Sequence, residues 1–217
     1  MKQDELIEAV KKGDAARVSA ILDGDRSLLR AKSDTTSAIL LACYHGHPEI
    51  ARLFTERGAE LSFPEACALG DRTRAKALLL RDAKLLQSYS DDGFPALGLA
   101  IFFQHGELAR ELIQRGADVN AAARNAQKVA PVHTAATVRD RDTMKLLLER
   151  GADPNARQQM GFTALHSAAS RGDVEMAKLL LKHGADPKAK TDDGKDAVDI
   201  AEKSGQPAFA EWFRSRS

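Results

Sequence analysis

The chain has 217 residues, of which 43% are hydrophobic and 29% charged, with 32 Lys and Arg set against 31 Asp and Glu. That composition belongs to folded proteins rather than disordered ones, and a net charge of +1 provides no electrostatic footprint for nucleic acid or an anionic membrane. Aromatics make up only 5%, so the core has to be built from Ala and Leu at close helix contacts.

At the start, Met1-Lys2-Gln3-Asp4-Glu5 runs straight into an acidic amphipathic segment with no apolar stretch of the kind a targeting signal carries. A series of predicted helix pairs follows, each turning at one residue: Gly13, Gly46, Gly70, Gln104, Arg139, Gly172 and Gly205, at intervals of 33, 24, 34, 35, 33 and 33. Internal repeats at such a period mark arrays of stacked units. The units run approximately 1–32, 33–62, 63–89, 90–122, 123–156, 157–189 and 190–217, in a single domain. Gln104 and Arg139 stand where glycine is preferred, at a cost of roughly 1 kcal/mol each in a left-handed turn.

In the first unit Asp4-Glu5-Leu6-Ile7 puts charge where an end unit needs a polar outer side. The second unit ends in Gly58-Ala59-Glu60, and the third begins almost at once with Pro64-Glu65-Ala66-Cys67, about nine residues short of the period. Units one and two resemble units three and four as a pair, Glu49-Ile50-Ala51-Arg52-Leu53 answering Glu107-Leu108-Ala109-Arg110-Glu111 at an offset of 58. Two readings stand: a continuous stack with one short loop, or a bend or hinge near Leu61 to Pro64. Further on, Gly116-Ala117-Asp118-Val119-Asn120, Gly151-Ala152-Asp153-Pro154-Asn155 and Gly184-Ala185-Asp186-Pro187 close successive units. In the sixth, Leu165, Ala168 and Ala169 fall on one face of the first helix, and Met176, Leu179 and Leu180 on one face of the second. Asp196-Ala197-Val198-Asp199 and Glu211-Trp212-Phe213-Arg214 then supply a closing cap.

Thr163-Ala164-Leu165-His166-Ser167-Ala168-Ala169 and Ala130-Pro131-Val132-His133-Thr134-Ala135-Ala136, each followed by the Gly-Ala-Asp closure, resemble the ankyrin repeat. The resemblance covers essentially the whole chain. It implies an all-α solenoid of helix-turn-helix units with short β-hairpin fingers, in which His133 and His166 hydrogen-bond neighbouring loop backbone. It also implies a rigid concave face that holds another macromolecule.

Chemistry finds little support. His45-Gly46-His47 pairs two imidazoles without an acidic or thiol third ligand at fixed spacing, so no metal is expected. Phosphate loops, dinucleotide fingerprints, nucleophile elbows and Cys-x-x-Cys pairs are all missing from the sequence, and neither catalysis nor a cofactor is expected. Asp91-Asp92 and Asp192-Asp193 precede glycines, as acidic turn residues do. Cys43 and Cys67 should face the packed helix interface as unbonded thiols, which suits a cytoplasmic location. The two longest uncharged stretches have 14 residues, too few to span a bilayer.

The resemblance implies that partner-binding residues lie just before the turns and in the fingers, which here are Tyr44 and His45, Phe102 and Phe103, Arg171, then Phe94, Met160 and Phe162. Five of the 11 aromatics thus project toward one expected surface. Either they form an interface of the kind that enriches aromatics, or adjacent rings pack on each other and roof the core. The expected function is non-catalytic binding of a cytoplasmic protein by a chain that is monomeric alone; the alternative is an inhibitory or regulatory subunit that masks an enzyme or toxin.

Overall fold

A computed structural model describes residues 2–216; Met1 and Ser217, the outer ends of the first and last expected units, lie outside the described residues. It is mostly helical with one small two-stranded sheet. Residues up to Phe103 form one compact unit and residues from Gln104 onward a second.

The first unit contains α1 (Lys2–Lys12), α2 (Ala15–Gly24), α3 (Ala38–Tyr44), α4 (Pro48–Glu56), α5 (Phe63–Leu69), α6 (Arg72–Arg81) and α7 (Ala96–Phe102). Helices α1, α3, α5 and α7 pack side by side in that order, and α2, α4 and α6 each pack on the helix before them. Alanines at the contacts, among them Ala42, Ala51, Ala66 and Ala100, are fully buried and let the helices approach closely. Leu6, Leu22, Ile50, Phe54 and Phe63 fill the space between.

All seven expected turn residues have left-handed backbones, including Gln104 and Arg139, each at φ 61°. At Gly13 the requirement is double: φ is 75° and a Cβ would lie 2.5 Å from the His47 ring. An aspartate often follows the turn and starts the second helix, since the Asp14, Asp71, Asp140 and Asp173 carboxylates accept the amides of Arg17, Arg74, Thr143 and Met176. Such caps contribute about 1 kcal/mol each.

The pair resemblance is visible as three-residue-per-turn segments at Arg26–Arg30 and Ala83–Gln87, which follow α2 and α6 and are capped by Asp25 and Asp82. The first finger is a hairpin of β1 (Lys32–Ser33) and β2 (Thr36–Ser37), antiparallel, with Lys32 opposite Ser37. A single bridge between Tyr89 and Pro95 closes the next. Between them no finger forms: Ala59 and Leu61 are buried, and Ser62 and Glu65 make a reciprocal capping box that opens α5.

In the second unit α8 (Gly106–Gln114), α10 (Arg141–Glu149) and α12 (Val174–Lys182) form one row, and α9 (Pro131–Val138), α11 (Ala164–Ser170) and α13 (Ala197–Lys203) another, with α14 (Pro207–Arg214) packed on α13. Two asparagines tie successive repeats together. Asn120 donates to the Gly151 carbonyl and accepts the Asp153 amide, and Asn155 repeats this with Gly184 and Asp186. The fingers are also joined by backbone bonds, from the Gln159 amide to the Gln127 carbonyl at 2.9 Å and from Asp192 to Met160 at 3.0 Å. At the C-terminal end Phe209 stacks on Phe213 and meets Trp212 edge-on.

One side chain departs from the periodicity. Met176 and Leu180 are buried as expected, but Leu179 is only half-buried and Ala177 takes the inner place.

Candidate functional site

In the first unit the residues before the turns and in the third finger bring four rings together. Tyr44 lies 5.5 Å from Phe103, 6.3 Å from Phe102 and 6.4 Å from Phe94 between ring centroids, and Phe102 meets Phe103 edge-on at 5.1 Å. These separations suit attractive aromatic contacts. Tyr44, Phe94 and Phe103 are half-buried, while Phe102 is 46% exposed and His45 is exposed. The rings pack on one another, and one of them, Phe102, still faces water. Burial, and after it the Asp92 carboxylate, push the Tyr44 phenol far above its ordinary value, so Tyr44 stays neutral.

In the second unit Met160 sits at a finger tip, 58% exposed, with a left-handed backbone at φ 62°. Phe162 is half-buried against His166 at 5.6 Å. Arg171 is exposed at its turn, and its carbonyl accepts a hydrogen bond from Arg139.

His133 and His166 do structural work. His133 Nδ1 accepts the Ala130 amide at 3.0 Å and Nε2 reaches the Ala156 carbonyl at 2.9 Å; His166 does the same with Thr163 and Ala189 at 3.1 Å each. Because Nδ1 accepts, the proton sits on Nε2 and is donated to the loop carbonyl. The motif histidines therefore bridge each helix start to the closing loop of the same repeat.

Cys43 and Cys67 are buried free thiols. Burial, followed by the charge of Glu65, pushes the Cys43 thiol up to about 12, and burial alone pushes Cys67 up as well. At pH 8 a thiol of that pKa is roughly one part in ten thousand thiolate, and the thiolate is the nucleophile. A disulfide reagent such as dithiobis-nitrobenzoate is therefore expected to label neither cysteine of the folded chain at pH 8 within minutes, and both at once in urea. Rapid labelling of the native chain would show that one of the thiols is exposed.

Among the described residues no group of three or more His, Cys, Asp or Glu is placed to hold a metal, and no helix is long and apolar enough to cross a membrane. What the geometry defines is an array of helix pairs, each opened by a left-handed turn, that presents ring and finger side chains to solvent. A family model described as ankyrin repeats (3 copies) matches residues 63–158 and 132–216, and the chain belongs to the ankyrin repeat family. Ankyrin repeats are in general protein–protein interaction modules and are typically non-catalytic. The helix pairs before residue 63 lie outside the matched segments.

A stretch of 119 residues, 54% of the chain, is 30% identical to human BCL-6 corepressor-like protein 1 and covers 7% of it. A stretch of 73 residues, 34% of the chain, is 40% identical to a protein of Treponema pallidum (strain Nichols) named for its ankyrin repeats, and covers 24% of that relative. The chain thus spans only a small part of either relative's length.

Proposed function

We propose that this chain is a non-catalytic binding module that holds a cytoplasmic protein through its concave face and finger loops, with the four-ring cluster of the first unit as its anchor. The carrying observation is Phe102, which remains 46% exposed although it lies against Tyr44 and Phe103, with Phe94 at 6.4 Å from the Tyr44 ring. A large ring left in water on a bed of other rings is a surface that gains by being covered. The near-zero net charge favours a protein over nucleic acid as what covers it.

Recovery from the source cytoplasm followed by mass spectrometry identifies the partner, and binding of that partner then tests the surface. Aromatic anchors at the centre of an interface commonly cost about 2 kcal/mol or more on truncation, a loss of about thirtyfold in affinity. The double change Phe102→Ala with Phe103→Ala is expected to weaken binding by at least that factor. Lys178→Ala, at an exposed α12 position where the lysine pairs with Glu175 one turn away, is expected to leave it nearly intact. A fall in melting temperature with unchanged affinity per folded molecule would move the binding surface elsewhere.

A further inference from the structure

The repeat period is broken once, where about nine residues are missing between the second and third helix pairs. Where a second finger would lie there is a cleft of about 390 Å³, lined by Ala31 and Lys32 at the base of the first finger, Ser62 and Glu65 at the junction, and Tyr89 to Asp91 of the next finger. In the second unit adjacent fingers are joined by backbone bonds. Across this gap side chains meet, Lys32 with Asp91 and Thr36 with Asp92. An exposed ion pair of that kind contributes little.

At the cleft stands an unusual carboxylate. Two carboxylates are buried among the described residues, Asp173 and Glu65. Asp173 is neutralised by Arg141 at 2.6 Å and Arg139 at 3.6 Å. Glu65, only 8% exposed, receives three neutral donors instead: Ser37 Oγ at 2.6 Å, Ser62 Oγ at 2.7 Å and the Ser62 amide at 2.8 Å. No described cation pairs with it. Removing a carboxylate from water without a counter-charge is costly, and a cation delivered into the cleft would offset that cost. The charged residues lining it are Arg30 and Lys32 against Glu60, Glu65 and Asp91, and Lys32 is paired with Asp91, which leaves the cleft short of one positive charge.

We propose that this cleft receives an extended loop of a protein partner, which takes the place of the missing finger and pairs a Lys or Arg side chain with Glu65. The proposal rests on the protein-binding reading above, but on a different surface from the aromatic cluster.

The test uses the full chain labelled with ¹⁵N and a capped nonapeptide of Gly and Ser with Arg at its centre, alongside the same peptide with a central Gln. The Arg peptide is expected to shift the Ser37, Ser62 and Ser90 amides saturably at millimolar concentration, with the Gln peptide at least about tenfold weaker. Glu65→Gln keeps a residue that completes the capping box, which an unchanged melting temperature verifies, and is expected to reduce the Arg peptide to the level of the Gln peptide. Equal binding of the two peptides, no saturable shift, or undiminished binding to Glu65→Gln would overturn the proposal. The Phe102→Ala, Phe103→Ala variant should bind the Arg peptide as the parent does. Loss of the partner in that variant, together with no peptide binding to the parent, would therefore sink the cleft and leave the aromatic surface standing.

Discussion

Leu180→Ala is expected to lower the stability of the second unit by about 2–5 kcal/mol, the range for truncating a fully buried leucine, while Leu179→Ala costs about 1 kcal/mol or less. Leu180 has no exposed surface on α12, and Leu179 next to it is half-buried. The contrast is a matter of angle. Met176, Ala177 and Leu180 point inward, and at 100° per residue Leu179 and Leu181 then fall on the two flanks of that stripe. Trp212 is the only tryptophan and lies in the second unit, so its fluorescence in a urea titration follows the part of the chain that carries both substitutions. Equal losses from the two variants would mean that α12 is rotated about its axis.

The same stripe shows where the sequence was sufficient and where it was not. Gly13, Gly46, Gly70, Gln104, Arg139, Gly172 and Gly205 could be placed because a left-handed turn leaves a mark in residue type and in spacing, and the backbone has φ between 61° and 79° at all of them. The absent finger was legible as a short interval. Three consecutive leucines, in contrast, fit more than one helical face, and only the neighbouring helices decide which one is inside. The bonds of Asn120 and Asn155 leave no mark in the sequence, because the carbonyls they bridge to lie 31 and 29 residues further along.

For the candidate site the limits are of the same kind. The resemblance to the ankyrin repeat places Tyr44, Phe94, Phe102 and Phe103 on one expected surface, but whether a ring is covered depends on side-chain packing. In the sequence Glu65 is one residue of Pro64-Glu65-Ala66-Cys67, the start of the third repeat. Its burial and its three neutral donors, with no described cation paired to it, emerge only when the first finger and the α5 start are brought together. A Ser-x-x-Glu pattern would have revealed the capping box, though not the cleft.

Acidification from pH 7 to pH 5 is expected to destabilise the second unit, and His133 and His166 are the groups responsible. Both are buried, and burial lowers both below the ordinary histidine value despite the loop carbonyls that favour the proton. For His133 the Asp153 charge also opposes the shift; for His166 Asp196 opposes it and Arg157 reinforces it. In the unfolded chain each histidine titrates near 6.5. Below that pH the unfolded state binds more protons than the native one, so stability is fully present above about 6.5 and declines as the pH falls toward the depressed native values. A protonated ring cannot accept the Ala130 or Thr163 amide at Nδ1, which is the structural counterpart of that loss. Carboxylates titrate mainly below this window, so the two effects separate. His133→Ala and His166→Ala each leave a loop carbonyl, Ala156 or Ala189, without its donor and are expected to cost about 1–3 kcal/mol at pH 7. The double variant should start from lower stability yet lose less between pH 7 and pH 5, as read by Trp212 fluorescence in urea titrations at each pH. A slope as steep in the variant as in the parent would assign the acid sensitivity to other groups.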